Sequence, residues 1–220
     1  KVEIDYYGQI PVMSLRSEPL ENIVNRVIKR AFDVIFSLLV VVLFLWWFIP
    51  LMAMLIKLTS KGPVFFTQER SGIKNKSFKV IKFRSMYIND GAHSVQATRG
   101  DHRITPIGKF LRKTNLDEVP QFINVLLGQM SVIGPRPHML RHTEKYSKII
   151  DKFMVRHLVK PGITGWAQVN GYRGETKDVT DMEGRVLADV WYIENWSFGL
   201  DIKIIILTII NMLRGEENAF

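Results

Sequence analysis

The chain has no cysteine. That excludes disulfide stapling, thiolate-held zinc, sulfur ligation of haem or iron–sulfur clusters, and a cysteine nucleophile. A Walker phosphate loop, an HExxH zinc helix and a G-x-S-x-G elbow are missing too, which removes the motif-bearing routes to nucleotide hydrolysis, zinc catalysis and serine catalysis. Internal repeats and low-complexity tracts are absent. Charge is missing from one stretch altogether: no charged side chain occurs in residues 34–56, which are Leu, Val, Ile, Phe, Trp, Met and Ala apart from Ser37 and Pro50.

What remains is a chain of 220 residues, long enough for one substantial core, with 47% hydrophobic and 23% charged residues. Lys and Arg total 30 against 21 Asp and Glu, a net charge of +9, and the sequence pI is about 9.8. The mean hydropathy of +0.05 is high for so basic a protein. A membrane surface fits this pair of properties better than a nucleic acid does.

As one straight helix, residues 34–56 would be roughly 34 Å long, enough to cross the ~30 Å hydrocarbon layer. The flanks argue otherwise. Arg26, Lys29 and Arg30 precede the segment, and from Lys57 to Arg84 eight Lys/Arg face the single acid Glu69, so both ends carry the signature of the cytoplasmic side. A re-entrant hairpin broken at Pro50 reconciles length with charge; a spanning helix with a tolerated proline is the alternative. Asp33, beside Lys29 and Arg30, reads as an ion-pair anchor at the membrane edge. Residues 1–28 read as a lead-in from a longer protein and 29–220 as one domain, with a helix starting between Asn22 and Arg30. Residues 200–213 are too short and too interrupted to span; they lie in the interface or in the core.

Past the apolar segment, "GPVFFTQERSG" and "KSFKVIKFRSM" read as two strands around a turn at 71–75, and Pro106 as the first turn of a short helix. In "FLRKTNLDEVPQFINVLLGQMSVIGPRP", Asp117 and Glu118 head an apolar helix that closes at Gly128. Helix capping explains such acids cheaply, with Asp117 or Asn115 as the cap. Arg112 shifts the balance toward chemistry, provided that the chain breaks near Thr114–Asn115 so that Arg112 and Asp117 can face one site. Arg136, stiffened between two prolines in "GPRP", presents a second planar fork suited to phosphate oxygens, or else faces solvent in a structural turn. His138 and His142 are four apart without a third ligand and read as non-metal. The glycine-rich stretch 159–176 carries Trp166, Gln168, Asn170, Tyr172 and Arg173. Its residues either make turns or stack and hydrogen-bond a nucleobase or sugar.

Taken together, "KRAFD", "GPVFFTQERSG", "KFRSM", the long segment containing Asp117, and "VKPGITGWAQVNG" to "DIKIIILT" resemble the bacterial monotopic polyprenol-phosphate phosphoglycosyl transferases. The stretches "QATRGDHRIT", "GPRPHMLRHTEKY" and "GYRGET" are most similar to the undecaprenyl-phosphate glucose phosphotransferase branch. The resemblance implies an α+β, mostly helical membrane-associated domain with a re-entrant helix-break-helix, short strands and amphipathic interfacial helices. It implies Asp117 as nucleophile toward a UDP-sugar and Glu118 as a Mg²⁺ ligand. Arg112 and Arg136 would neutralise phosphate charge, Lys82 and Arg84 would support them, and undecaprenyl phosphate would be the acceptor. Arg30, Asp33 and Pro50 fall in the anchoring part. The expected location is the cytoplasmic face of the bacterial inner membrane, with a homo-oligomer allowed and no nucleic-acid partner. One departure stands out: many members place Ser-Pro at the helix break, whereas Ile49 precedes Pro50 here, after Trp46-Trp47. Glucose, galactose and an acetamido sugar remain open as the sugar carried.

Overall fold

The computed structural model describes residues 2–7, 10–15, 18–89, 91, 98, 100–172, 174 and 178–214, with side chains from Glu18 onward. Asn22 starts the longest element by accepting the Val24 N–H on its Oδ1 at 2.8 Å, a cap made possible by its extended backbone. Helix then continues from Ile23 to Thr59, as α1 (Ile23–Val40), a π-helical turn (Val41–Leu45) and α2 (Trp46–Thr59).

Pro50 lies within α2 and does not end it, which corrects the expected break. The departure from α geometry comes just before the proline: the Trp46 N–H reaches back five residues to Val41 O. A proline ring presses on the carbonyl four residues before it, here that of Trp46, so the irregular turn sits where the strain arises.

The helix has one buried stripe, Lys29, Asp33, Ser37, Leu45, Phe48, Met52 and Ile56, and both its ends grip the rest of the protein. Asp33 accepts the Ser131 hydroxyl and the Val132 N–H, each at 2.9 Å, in place of the ion pair expected for it. Arg30 donates to the carbonyls of Val125 and Leu126 at 2.7 and 3.0 Å. Phe48, Met52 and Ile56 pack with Phe83 and Leu111. The opposite face is apolar and exposed, from Ile35 and Leu38 through Leu43 and Trp46 (70% exposed) to Met54 and Leu58.

Among the described residues, three two-stranded sheets accompany the helices. β1 (Val2–Tyr7) and β2 (Ile10–Leu15) pair antiparallel with each other. β3 (Phe65–Ser71) and β4 (Ser77–Phe83) form the expected hairpin, whose turn places Lys74 and Asn75 at positive φ. β5 (Ser131–Ile133) and β6 (Gly162–Thr164) pair parallel, and Gly162 is required because a Cβ there would lie 2.1 Å from Gly134 N.

Pro106 opens α3 (Pro106–Lys113), capped by Thr105, and α4 (Gln121–Leu126) closes at Gly128 with φ +80°, both as expected. α5 (Leu140–Tyr146), a 3₁₀ turn (Phe153–Leu158), α6 (Trp166–Val169), α7 (Val179–Glu194) and α8 (Phe198–Arg214) follow in order.

The main core gathers Val80, Val125, Met130, Val132, Ile133, Tyr192, Ile193 and Ile204, and Leu20, ahead of α1, belongs to it. A second core joins Tyr146, Ile150 and Phe153 to Met182, Val186 and Val190 of α7. α8 turns Asp201 and Ile204 inward, as the core alternative for 200–213 requires, and leaves Ile206, Ile209, Met212 and Leu213 exposed.

Candidate active site

The site is built where α3 gives way to α4. Asn115 adopts a left-handed conformation (φ 56°), breaking the chain where the Arg112–Asp117 spacing demanded it. A 3₁₀ turn, Leu116–Glu118, follows, and Pro120 is the residue that precedes α4, so neither acid caps that helix. α3 approaches the chain just past β4 closely because residue 108 is glycine: a Cβ would lie 1.9 Å from Ser85 O. That contact lets the Arg112 Nε donate to the Ser85 hydroxyl at 3.0 Å. Asp117 and Glu118 are each only 7% exposed.

Glu118 is the hub. Lys82, on β4, donates to its Oε1 at 2.6 Å, and Arg136 forks onto both oxygens, with Nη1 to Oε2 at 3.0 Å and Nη2 to Oε1. Asp117 is the strained partner: burial and then the adjacent Glu118 charge push its carboxyl up to about 6, against the opposing pull of Lys82, Arg112 and Arg136. Burial also lowers the Lys82 ammonium below its usual range. One nitrogen of Arg112, Nη1, is buried without a hydrogen-bond partner. A buried guanidinium nitrogen left unmatched beside a carboxylate pair is suited to an anionic oxygen supplied from outside.

Four further charged residues that no motif signalled frame this centre. Arg70 on β3 shares the hairpin face of Lys82 and is pushed down to about 10 by burial and then by Arg136. Arg156 pairs with Asp189 at 2.8 Å, both inside the protein. Arg185, on the same α7 face as Asp189, is pushed down to about 10 by burial and by Arg136 and Arg156. Two signals were available: strand alternation for Arg70, and a charged i, i+4 pair on the buried side of α7 for Arg185 and Asp189.

Other expected members are placed elsewhere. Arg84 is turned to the end of α2, donating to Lys61 O at 2.6 Å and Ser60 O at 2.9 Å, so it closes a helix terminus instead of facing the carboxylates. Trp166 stacks on Trp191 with ring centroids 4.8 Å apart and has Lys203 over its ring, so its π-surface is already engaged. Gln168 is buried and donates to Ile163 O at 3.3 Å, and Asn170 donates to Trp166 O at 2.8 Å. These local bonds favour the turn reading of that loop; Arg173 lies outside the described residues. His138 and His142 stand 6.4 Å apart by ring centroid, and burial with nearby arginines holds the His138 pKa well below the ordinary range.

For Mg²⁺ the donor class fits. This ion is commonly held by one or two carboxylates together with substrate phosphates. Asp117 and Glu118 are two adjacent buried carboxylates, and the mutual repulsion recorded in the Asp117 shift is what a divalent cation would relieve.

A carboxylate pair walled by cations, in a domain with one helix long and apolar enough to cross a membrane, makes a candidate anion-handling site. The model of the bacterial sugar transferase family matches residues 24–215, and the chain belongs to that family. It is 50% identical over 201 residues to the UDP-glucose:undecaprenyl-phosphate glucose-1-phosphate transferase of Escherichia coli (strain K12), covering 91% of this chain and 43% of that protein. The Klebsiella pneumoniae protein of the same name is 52% identical with the same coverage. The UDP-N-acetylgalactosamine-undecaprenyl-phosphate N-acetylgalactosaminephosphotransferase of Aeromonas hydrophila is 42% identical over 219 residues, covering 98% of this chain and 49% of that protein. The chain thus spans less than half the length of these relatives.

Proposed function

We propose that this domain transfers a phosphosugar from a UDP-sugar to undecaprenyl phosphate, with glucose as the sugar of first choice, at the cytoplasmic face of a bacterial membrane. The observation that carries the reading is Asp117: a buried carboxylate with its pKa raised to about 6, in the field of Lys82, Arg112 and Arg136.

A carboxylate must overcome the repulsion of a diphosphate before it can attack phosphorus, and three cations around it reduce that barrier. An Asp117 oxygen bonds to the β-phosphorus as the bond to the bridging oxygen breaks, and UMP leaves with the electron pair. The phosphosugar is then held on the aspartate. A phosphate oxygen of the lipid attacks the same phosphorus, the bond to Asp117 breaks, and the lipid diphosphate-sugar departs. Arg112, through its unmatched Nη1, binds phosphate oxygens, while Arg136 and Lys82 fix Glu118. Mg²⁺ held by Glu118 would supply positive charge to the diphosphate.

The membrane segment is proposed to enter and leave on one side. What supports this is that Asp33 and Arg30 near one end, and Met52 and Ile56 near the other, grip the same body. A spanning helix would instead carry one end ~30 Å away across the bilayer.

The test is nucleotide release. With UDP-glucose and undecaprenyl phosphate the protein is expected to liberate UMP, and Asp117→Asn to abolish this while remaining folded in membranes. Release of UDP, or full turnover by Asp117→Asn, would overturn the reading.

A further inference from the structure

The segment that carries Arg136 is fastened at four successive carbonyls. Pro135 O accepts the Gly162 N–H at 2.9 Å, Arg136 O accepts Arg156 Nη2 at 3.0 Å, Pro137 O accepts Arg70 Nη1 at 3.5 Å and His138 O accepts the Ser71 N–H at 3.1 Å. Each proline fixes its own φ but not the ψ that orients its neighbours. The orientation of a carbonyl reports that remaining freedom, so the bond to Arg136 O is the one that sets ψ at Arg136 itself. Its donor is in turn fixed, because Arg156 Nε donates to Asp189 Oδ2 at 2.8 Å and the guanidinium lies 5.4 Å from the Phe153 ring. Arg156 is 4% exposed and Asp189 1%. Two of the Arg156 nitrogens are thereby committed behind the site, one to a carboxylate and one to main chain.

We propose that Asp189 and Arg156 are positioning residues that act on the reaction through the main chain of Arg136, aiming its fork at Glu118. The proposal rests on the phosphosugar-transfer reading above. A bidentate fork tolerates little displacement, and a misplacement of about 1 Å at a reacting centre is enough to cost on the order of 100-fold in rate. A buried ion pair is also a poor source of net stability, so its presence behind an active-site arginine calls for a role besides folding.

The experiment uses two kinds of variant. Asp189→Asn and Arg156→Lys are expected to lower kcat for UMP release by about 10- to 100-fold and to leave KM for UDP-glucose within about 3-fold. In an Arg136→Lys background each should cost no more than about 2-fold, because the fork they aim is already lost. A purely structural role predicts the reverse: a lowered thermal midpoint, and kcat losses that multiply with that of Arg136→Lys.

Since removing one partner of a buried pair can unfold a protein, the double variant Arg156→Met/Asp189→Leu replaces the pair with apolar groups of similar volume, an exchange that folded proteins tolerate. It should keep the wild-type thermal midpoint and still lose kcat, and a structure of it should show Arg136 detached from Glu118. An intact fork, or wild-type kcat in the double variant, overturns the proposal. Failure of the wild-type protein to release UMP would instead sink the phosphosugar-transfer reading and leave the structural readout to decide this one.

Discussion

A buried carboxyl with a raised pKa is a stability liability as well as a tool. Asp117 has an ordinary value of 3.8 and is pushed up to about 6 by burial and by Glu118. Between those values the unfolded chain gives up its proton and the folded chain keeps it, so stability falls as pH rises from about 4 to about 6 and stays lower above. Asp117→Asn removes the penalty. In the presence of a chelator, its thermal midpoint should exceed that of the wild type above pH 6, by an amount equivalent to about 1–3 kcal/mol, and the difference should vanish below pH 4. Equal midpoints at pH 8 would show that the carboxylate is not held against its preference. Much of this centre was legible in the sequence, because Arg112, Asp117, Glu118 and Arg136 lie within 25 residues and two prolines and a chain break organise them. Arg156 and Asp189 were not, because they stand 33 positions apart and only tertiary packing brings them together. The contacts of Arg84 and Trp166 were illegible for the same reason. Ser60 and Trp191, which engage them, are 24 and 25 residues away, and nothing local announces either contact.

At the scale of elements, local signals translated well and long-range ones did not. The β3–β4 hairpin, the Pro106 helix start and the Gly128 stop each rest on a few adjacent residues, and all three are found where the sequence placed them. The path of the long helix is different, since a proline specifies strain but not how it is absorbed. Here it is absorbed by the π turn at Val41–Leu45, and helix continues to Thr59. The stripe from Lys29 to Ile56 corresponds to roughly 40 Å of helix held at both ends by the same body. This leads to a labelling prediction that the absence of native cysteine makes clean. Single cysteines introduced at Asn25 and Ser60 should react with a membrane-impermeant maleimide from the same side of sealed vesicles. Reaction from opposite sides would establish a spanning helix and remove the one-sided arrangement.

For the molecule as a whole, the opposed properties of the sequence, strongly basic yet apolar, are sorted onto different surfaces. The exposed apolar residues of α1 and α2 form one face, and those of α8 form another from the far end of the chain. The two helices are tied near their starts: Lys29 Nζ contacts Asp201 Oδ2 at 2.8 Å and the Tyr192 hydroxyl at 3.0 Å, and Tyr192 and Trp196 both donate to Asp201. This buried knot fixes the start of α8 to α1, and the one-sided membrane arrangement proposed above predicts that a bilayer reached by one apolar face is reached by the other. Contiguous exposed apolar surface of this extent marks an interaction site, and an amphipathic helix of 17 residues is suited to lie at the headgroup boundary. A fluorophore on a single cysteine at Ile209 should therefore shift to the blue and be quenched by a lipid-borne quencher once the protein is in vesicles, as should one at Trp46. Ile209 is 52% exposed, so its replacement disturbs the fold little and the fluorescence reports location. An Ile209 probe that keeps its aqueous spectrum while the Trp46 probe is quenched would mean that the outer face of α8 stays out of the lipid, leaving α1 and α2 to carry the membrane contact.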